Sequence, residues 1–231
     1  MGPKAGNVVV GLYPQHMGKS TFLDTLGSFL DIIGSFPYDK RKEVFQKCAV
    51  YDKNNRQFFN ENFAKYPVLR LNFKTALPKT DYIAIQELRN IAIEAAEPYV
   101  KLLQDLIHGK VRDDIGELDL SKVCRFERGI QKFLIFHRDL KKTDDPSIYG
   151  SSIEYLLPML MKLLYDIFNV PSVVLVDEFD VPYMSTFYNK NIDHNMRACI
   201  HDTYTGFLSA MLKVRGLHAI SDYLYIPYAI Y

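Results

Sequence analysis

Two hydrophobic patterns alternate along this chain. Short apolar runs without helical spacing occur at residues 7–12, 68–73 and 173–176, and longer stretches between them repeat apolar residues every three or four positions. The run Val173-Val174-Leu175-Val176 has no polar interruption, which suits a parallel strand buried on both faces. Phe22, Leu23, Leu26, Phe29, Leu30 and Ile33 share one face of a predicted helix. A short helix is expected over 40–48 and a polar loop over 54–65. A long helix is expected over 81–108, with Leu88, Ile91, Ala95, Tyr99, Leu102 and Leu106 on one stripe and a kink at Pro98. After a charged connection at 110–120, a helix over 122–139 repeats Val123, Phe126, Ile130, Phe133, Leu134 and His137. Ser151 and Glu154 have capping-box spacing ahead of another helix, which ends near Asn169. This alternation predicts an α/β fold, a mostly parallel sheet with helices on both faces. It reads as a single domain over 1–231, with the helices of 81–139 as an insertion and 214–231 as an atypical tail.

Two segments carry chemistry. The first strand runs into Tyr13-Pro14-Gln15-His16-Met17-Gly18-Lys19-Ser20-Thr21, at the start of the first helix. There the free N–H groups and the helix dipole favour an anion. Gly18 lets the backbone come close to phosphates, Lys19 supplies an ammonium for the β- and γ-phosphates, and Ser20 supplies a hydroxyl for magnesium. The second segment ends the apolar run in Asp177-Glu178, where ligands bind in open α/β sheets. Asp177 is the candidate magnesium ligand, and Glu178 the candidate base for an attacking water. Together they predict a P-loop fold that binds a nucleotide through Gly18, Lys19, Ser20 and Thr21, with Mg2+ at Ser20 and Asp177. One position departs from the usual loop: Tyr13 stands where a glycine is expected, and Gly11 is two residues too early to replace it.

These residues resemble the AAA-ATPase-like domain family, P-loop proteins often fused to a nuclease-like domain. The segment from Tyr13 to Leu26 is similar to the family's loop and Leu/Phe-rich helix, with the usual loop arginines replaced. Tyr66-Pro67-Val68-Leu69-Arg70-Leu71-Asn72-Phe73 resembles its Pro-Val strand. Asp177-Glu178-Phe179-Asp180-Val181-Pro182 resembles its most specific signature. The resemblance runs from about Val8 to about Lys213, and implies ATP and Mg2+ as ligands and ATP hydrolysis as the activity. It also implies a sensor strand after the helix of 195–213, which 214–231 does not resemble. The fold is therefore expected to be C-terminally incomplete, with Leu224–Ile226 at a sheet edge or loosely packed and a core strand missing. A second functional reading is a degenerate or truncated P-loop domain serving as a non-catalytic interaction module.

Charge and composition narrow the partners. The formal net charge of +1 offers no general attraction to nucleic acid or to membranes. No uncharged apolar stretch is long enough for a membrane span. Cys48, Cys124 and Cys199 are odd in number and widely spaced, which suits buried free thiols in an intracellular, cytoplasmic or nuclear protein. His16 is read as a loop filler, His137 as a core residue, and His194 and His201 as non-ligands for want of a third partner. Asp139-Leu140-Lys141 has the spacing of a nuclease triplet but continues the helical period from Val123, so no nuclease site is assigned. Absence of a guanine-selecting motif favours ATP.

Overall fold

Among the described residues, the unbroken apolar run is the centre of a three-stranded parallel sheet. The computed structural model describes residues 18–110, 115, 121–150, 152–212 and 218–221, with backbone alone at 121–124, 148–149, 212 and 218–221. In chain order they form α1 (Lys19–Leu30), α2 (Tyr38–Gln46), a 3-10 turn (Ala49–Tyr51), α3 (Arg56–Asn62), β1 (Val68–Asn72), α4 (Asp81–Ile107), α5 (Ser121–Lys142), α6 (Pro146–Tyr149), α7 (Ile153–Phe168), β2 (Val173–Asp177), α8 (Val181–Tyr188), α9 (His194–Leu212) and β3 (His218–Ser221). The strand order is β1-β2-β3, with both pairs parallel. The first predicted strand, the loop up to Met17, Ser151 and Leu224–Ile226 lie outside the described residues.

Strand periodicity sorts the core into two layers. Successive side chains of a strand point to opposite faces. Val68, Val173 and Leu175 therefore pack with α1, α2 and α3, among Leu23, Phe29, Leu30, Phe45, Phe59 and Phe63. Leu69, Leu71, Val174 and Val176 pack on the other face, against α4, α5, α7 and α9. All six residues of the predicted α4 stripe are buried, and the helix continues through Pro98. Thr80 caps its start, the side chain accepting from Ile83 N at 3.2 Å.

Several expectations need correction. Residues 54–65 are not a polar loop. They contain α3, whose Phe59, with Phe63 just beyond, anchors an aromatic cluster around Phe29. The two rings lie one helical turn apart, so a segment rich in polar residues still buries a face. Phe22 is about half exposed rather than packed in the core, and α1 ends at Leu30, short of Ile33. The N-cap of α7 is Ser152, without a side-chain cap bond. Cys48 and Cys199 are free but exposed, not buried. The tail does contribute a strand: β3 pairs with β2 on the side away from β1, so β2 has a neighbour on each side. The expectation of a missing core strand is thus corrected at β2, through His218–Ser221 within the tail, upstream of Leu224–Ile226. Asp139–Lys141 is helical within α5, and His137 is buried, with Nε2 3.4 Å from Glu97 Oε2.

One polar contact ties the layers at the start of β1. Tyr99 of α4 is fully buried; its hydroxyl accepts from Val68 N and donates to Asp31 Oδ1 at 2.8 Å. Burial pushes the Asp31 carboxyl up from 3.8 to about 6, against the hydrogen bonds from Ile33 N and Tyr99 and the charges of Arg70 and Arg41. A carboxyl that holds its proton more tightly when folded stabilises the protein most below its unfolded pKa. That contribution is lost as pH rises from about 4 to about 6, and the full difference is about 3 kcal/mol. Asp31→Asn cannot ionise. Urea titrations across pH 4–7 should show the variant gaining on the parent through this window, whereas a pH-independent difference would contradict the assignment.

Candidate functional site

The N-terminus of α1 meets the C-terminal end of β2. Because Val173 and Leu175 face α1, Asp177 does too, two residues further along the same face. Its Oδ2 accepts a hydrogen bond from Ser20 Oγ at 2.7 Å, joining positions 157 residues apart. Its Oδ1 is buried without a hydrogen bond and lies 3.3 Å from Lys19 Nζ. Glu178 Oε1 also lies 3.3 Å from that ammonium. Lys19 and Glu178 keep about a quarter and a third of their side-chain surface, and Asp177 an eighth. The cluster is therefore open to solvent on one side. Burial alone would lower the pKa of Lys19, but the negative charges of Asp177 and Glu178 beside it outweigh burial and hold the ammonium above its ordinary value.

Backbone conformation fixes both sides. Gly18 caps α1 in the left-handed region, at φ 76°, where a side chain is disfavoured. Glu178 is also left-handed, at φ 56°, although it is not a glycine. This residue turns the chain out of β2 into α8, and Val181 N donates to its carbonyl at 3.0 Å. Strain of this kind persists where surrounding structure holds it in place, and clusters at functional sites. Sequence alone carried no sign of it.

Gly18, Lys19, Ser20, Asp177 and Glu178 thus stand together. Thr21 follows Ser20 and is exposed on α1, its carbonyl accepting from Thr25 Oγ1 at 2.8 Å. Asn72, given no role from sequence, ends β1 in register with Asp177. A polar residue at the end of a strand, as Asp177 ends β2, was the only signal for it. Among the described residues no group of three or more His, Cys, Asp or Glu is placed to hold a metal. A magnesium ion has other requirements: one or two protein oxygens, with phosphates and water supplying the rest. Adjacent octahedral ligands at about 2.1 Å stand about 3 Å apart, close to the 2.7 Å between Ser20 Oγ and Asp177 Oδ2. The unbonded Asp177 Oδ1 leaves this carboxylate spare acceptor capacity. The donor set fits the ion.

A family model described as a predicted AAA-ATPase matches residues 4–220. The chain belongs to this AAA-ATPase-like family, a group to which nucleotide binding is attributed. No curated protein matches it, and no solved structure does. Among the described residues no helix is long and apolar enough to cross a membrane.

The left-handed Glu178 makes a stability prediction. Glu178→Gly should relieve backbone strain and raise unfolding free energy by about 0.5–1 kcal/mol, since a partly exposed ion pair contributes little. Glu178→Ala loses the same carboxylate while keeping the strain, and should not stabilise. Equal urea midpoints for the two variants would contradict a strained turn.

Proposed function

We propose that this chain is a P-loop domain that binds ATP with Mg2+ and hydrolyses it. The observation that carries the reading is the contact of Ser20 and Lys19 at a helix N-terminus with Asp177 and Glu178 at a parallel strand end. In this reading the amides at the start of α1 and the Lys19 ammonium bind the phosphates, with Gly18 and Thr21 contributing backbone contacts. Lys19 is now shared between two carboxylates, and phosphate oxygens would take it over. Ser20 and Asp177 would hold the magnesium ion, which neutralises phosphate charge when bound. Glu178, freed from Lys19, is the acceptor for the proton of an attacking water.

A second reading rests on Tyr13, which stands where the usual loop has glycine. It makes the chain a degenerate P-loop domain acting through protein contacts. Two variants separate the readings. Lys19→Ala should abolish ATP binding, measured by titration with a fluorescent analogue; unchanged affinity would remove the site from consideration. Glu178→Gln keeps the size of the side chain and loses its basicity, so binding should persist while phosphate release falls about 10²-fold or more. Binding without measurable turnover in the parent chain would favour the interaction module.

A further inference from the structure

The outer edge of β1 is half sealed and half open. Pro67 O accepts from Val173 N at 2.8 Å, and Phe73 N donates to Asp177 O at 3.0 Å, so odd-numbered residues of this strand direct their backbone toward β2. Even-numbered ones direct theirs outward, since both sides alternate along a strand. Outward groups at Tyr66 bond to Leu30 O and Ile32 N, at 3.0 and 2.8 Å. Those of Val68 bond to the Tyr99 hydroxyl. Beyond this point the chain of α1 has turned away. Among the described residues no hydrogen bond reaches the backbone N–H or C=O of Arg70 or Asn72.

A groove of about 950 Å³ opens where the seal stops, walled by α1, α2, the β1 edge and α4. Its charges are unevenly satisfied. Arg41 donates to the carbonyls of Asp31 and Ile33, at 2.8 and 2.9 Å. The Arg70 guanidinium crosses Gly27 so closely that it would have to shift if a Cβ were added there, and it pairs with Asp24 at 3.6 Å. Among the described residues neither Asp31 nor Glu94, which line the same groove, forms a salt bridge; the charges of Arg70 and Arg41 act on Asp31 from a distance, and of its carboxyl only Oδ1 is hydrogen-bonded. Lys40 stands on the exposed rim, and among the described residues it forms no salt bridge. A charged edge residue such as Arg70 ordinarily guards a strand against pairing. Here that side chain lies against α1, beside Gly27 and Asp24.

We propose that this groove binds an extended peptide segment carrying a lysine or arginine, which adds to the β1 edge at Arg70 and Asn72 and sets its cation against Asp31 and Glu94. Backbone bonding supplies the affinity and the carboxylates the side-chain preference. This surface is separate from the nucleotide site, and the proposal does not depend on ATP binding.

The test uses fluorescein-labelled pentapeptides Thr-Val-X-Val-Thr, with X as Lys, Arg, Ala or Glu, titrated against the full chain by anisotropy. Lys and Arg peptides should bind about tenfold or more tighter than the Glu peptide, and Glu94→Lys should erase that preference. Backbone N-methylation of the Lys peptide should abolish binding, a control that leaves the protein unaltered. Amide exchange at Arg70 and Asn72 should slow when the Lys peptide is added. The proposal is overturned by a panel that does not bind, by preference for Glu, by binding without protection at these amides, or by a dimer of the chain that the peptide does not disrupt. The last outcome would assign the edge to a second copy.

Discussion

β2 must be apolar on both faces because helices cover both, and the rest of the arrangement follows from that constraint. A strand buried on two sides has no freedom to slip by one residue, since a slip would exchange the layers. The register that sends Val173 and Leu175 toward α1 also sends Asp177 there. A carboxylate is tolerated because it comes at the strand end, where Ser20 and Lys19 compensate its burial. The site is therefore a consequence of packing: the same alternation that builds two cores aims one acid at one helix N-terminus.

Opposing requirements meet at the next residue. The chain must leave β2 sharply enough to start α8, and Glu178 takes a left-handed conformation to do so. A glycine would make that turn with less strain. A carboxylate at this position reaches Lys19 instead, which is the kind of local conflict that functional positions retain. Lys19 responds to both acids, its ammonium stabilised by the negative charge around it.

Legibility in the sequence followed the strength and range of each signal. β2, α4 and α7 were readable because long or uninterrupted apolar patterns leave few alternatives. The pairing of Lys19 and Ser20 with Asp177 and Glu178 was readable because each residue type answers a specific chemical need. α3 was not, since Arg, Gln, Asn and Glu dominate it and its one buried residue, Phe59, is matched only by Phe63 one turn on, just beyond its end. β3 was missed because four residues, His218–Ser221, carry no strand pattern of their own and acquire it by pairing with β2. The bond from Tyr99 to Asp31 joins positions 68 residues apart, and nothing local to either residue announces it. The open β1 edge is likewise a property of what stops pairing nearby.

The most direct measurement is calorimetric titration of the parent chain with ATP, with and without Mg2+. The arrangement of Ser20 and Asp177 beside Lys19 predicts saturable binding with one site per chain, tighter when Mg2+ is present. Binding that is indifferent to Mg2+, or no binding in either condition, would contradict a phosphate and magnesium site between α1 and β2.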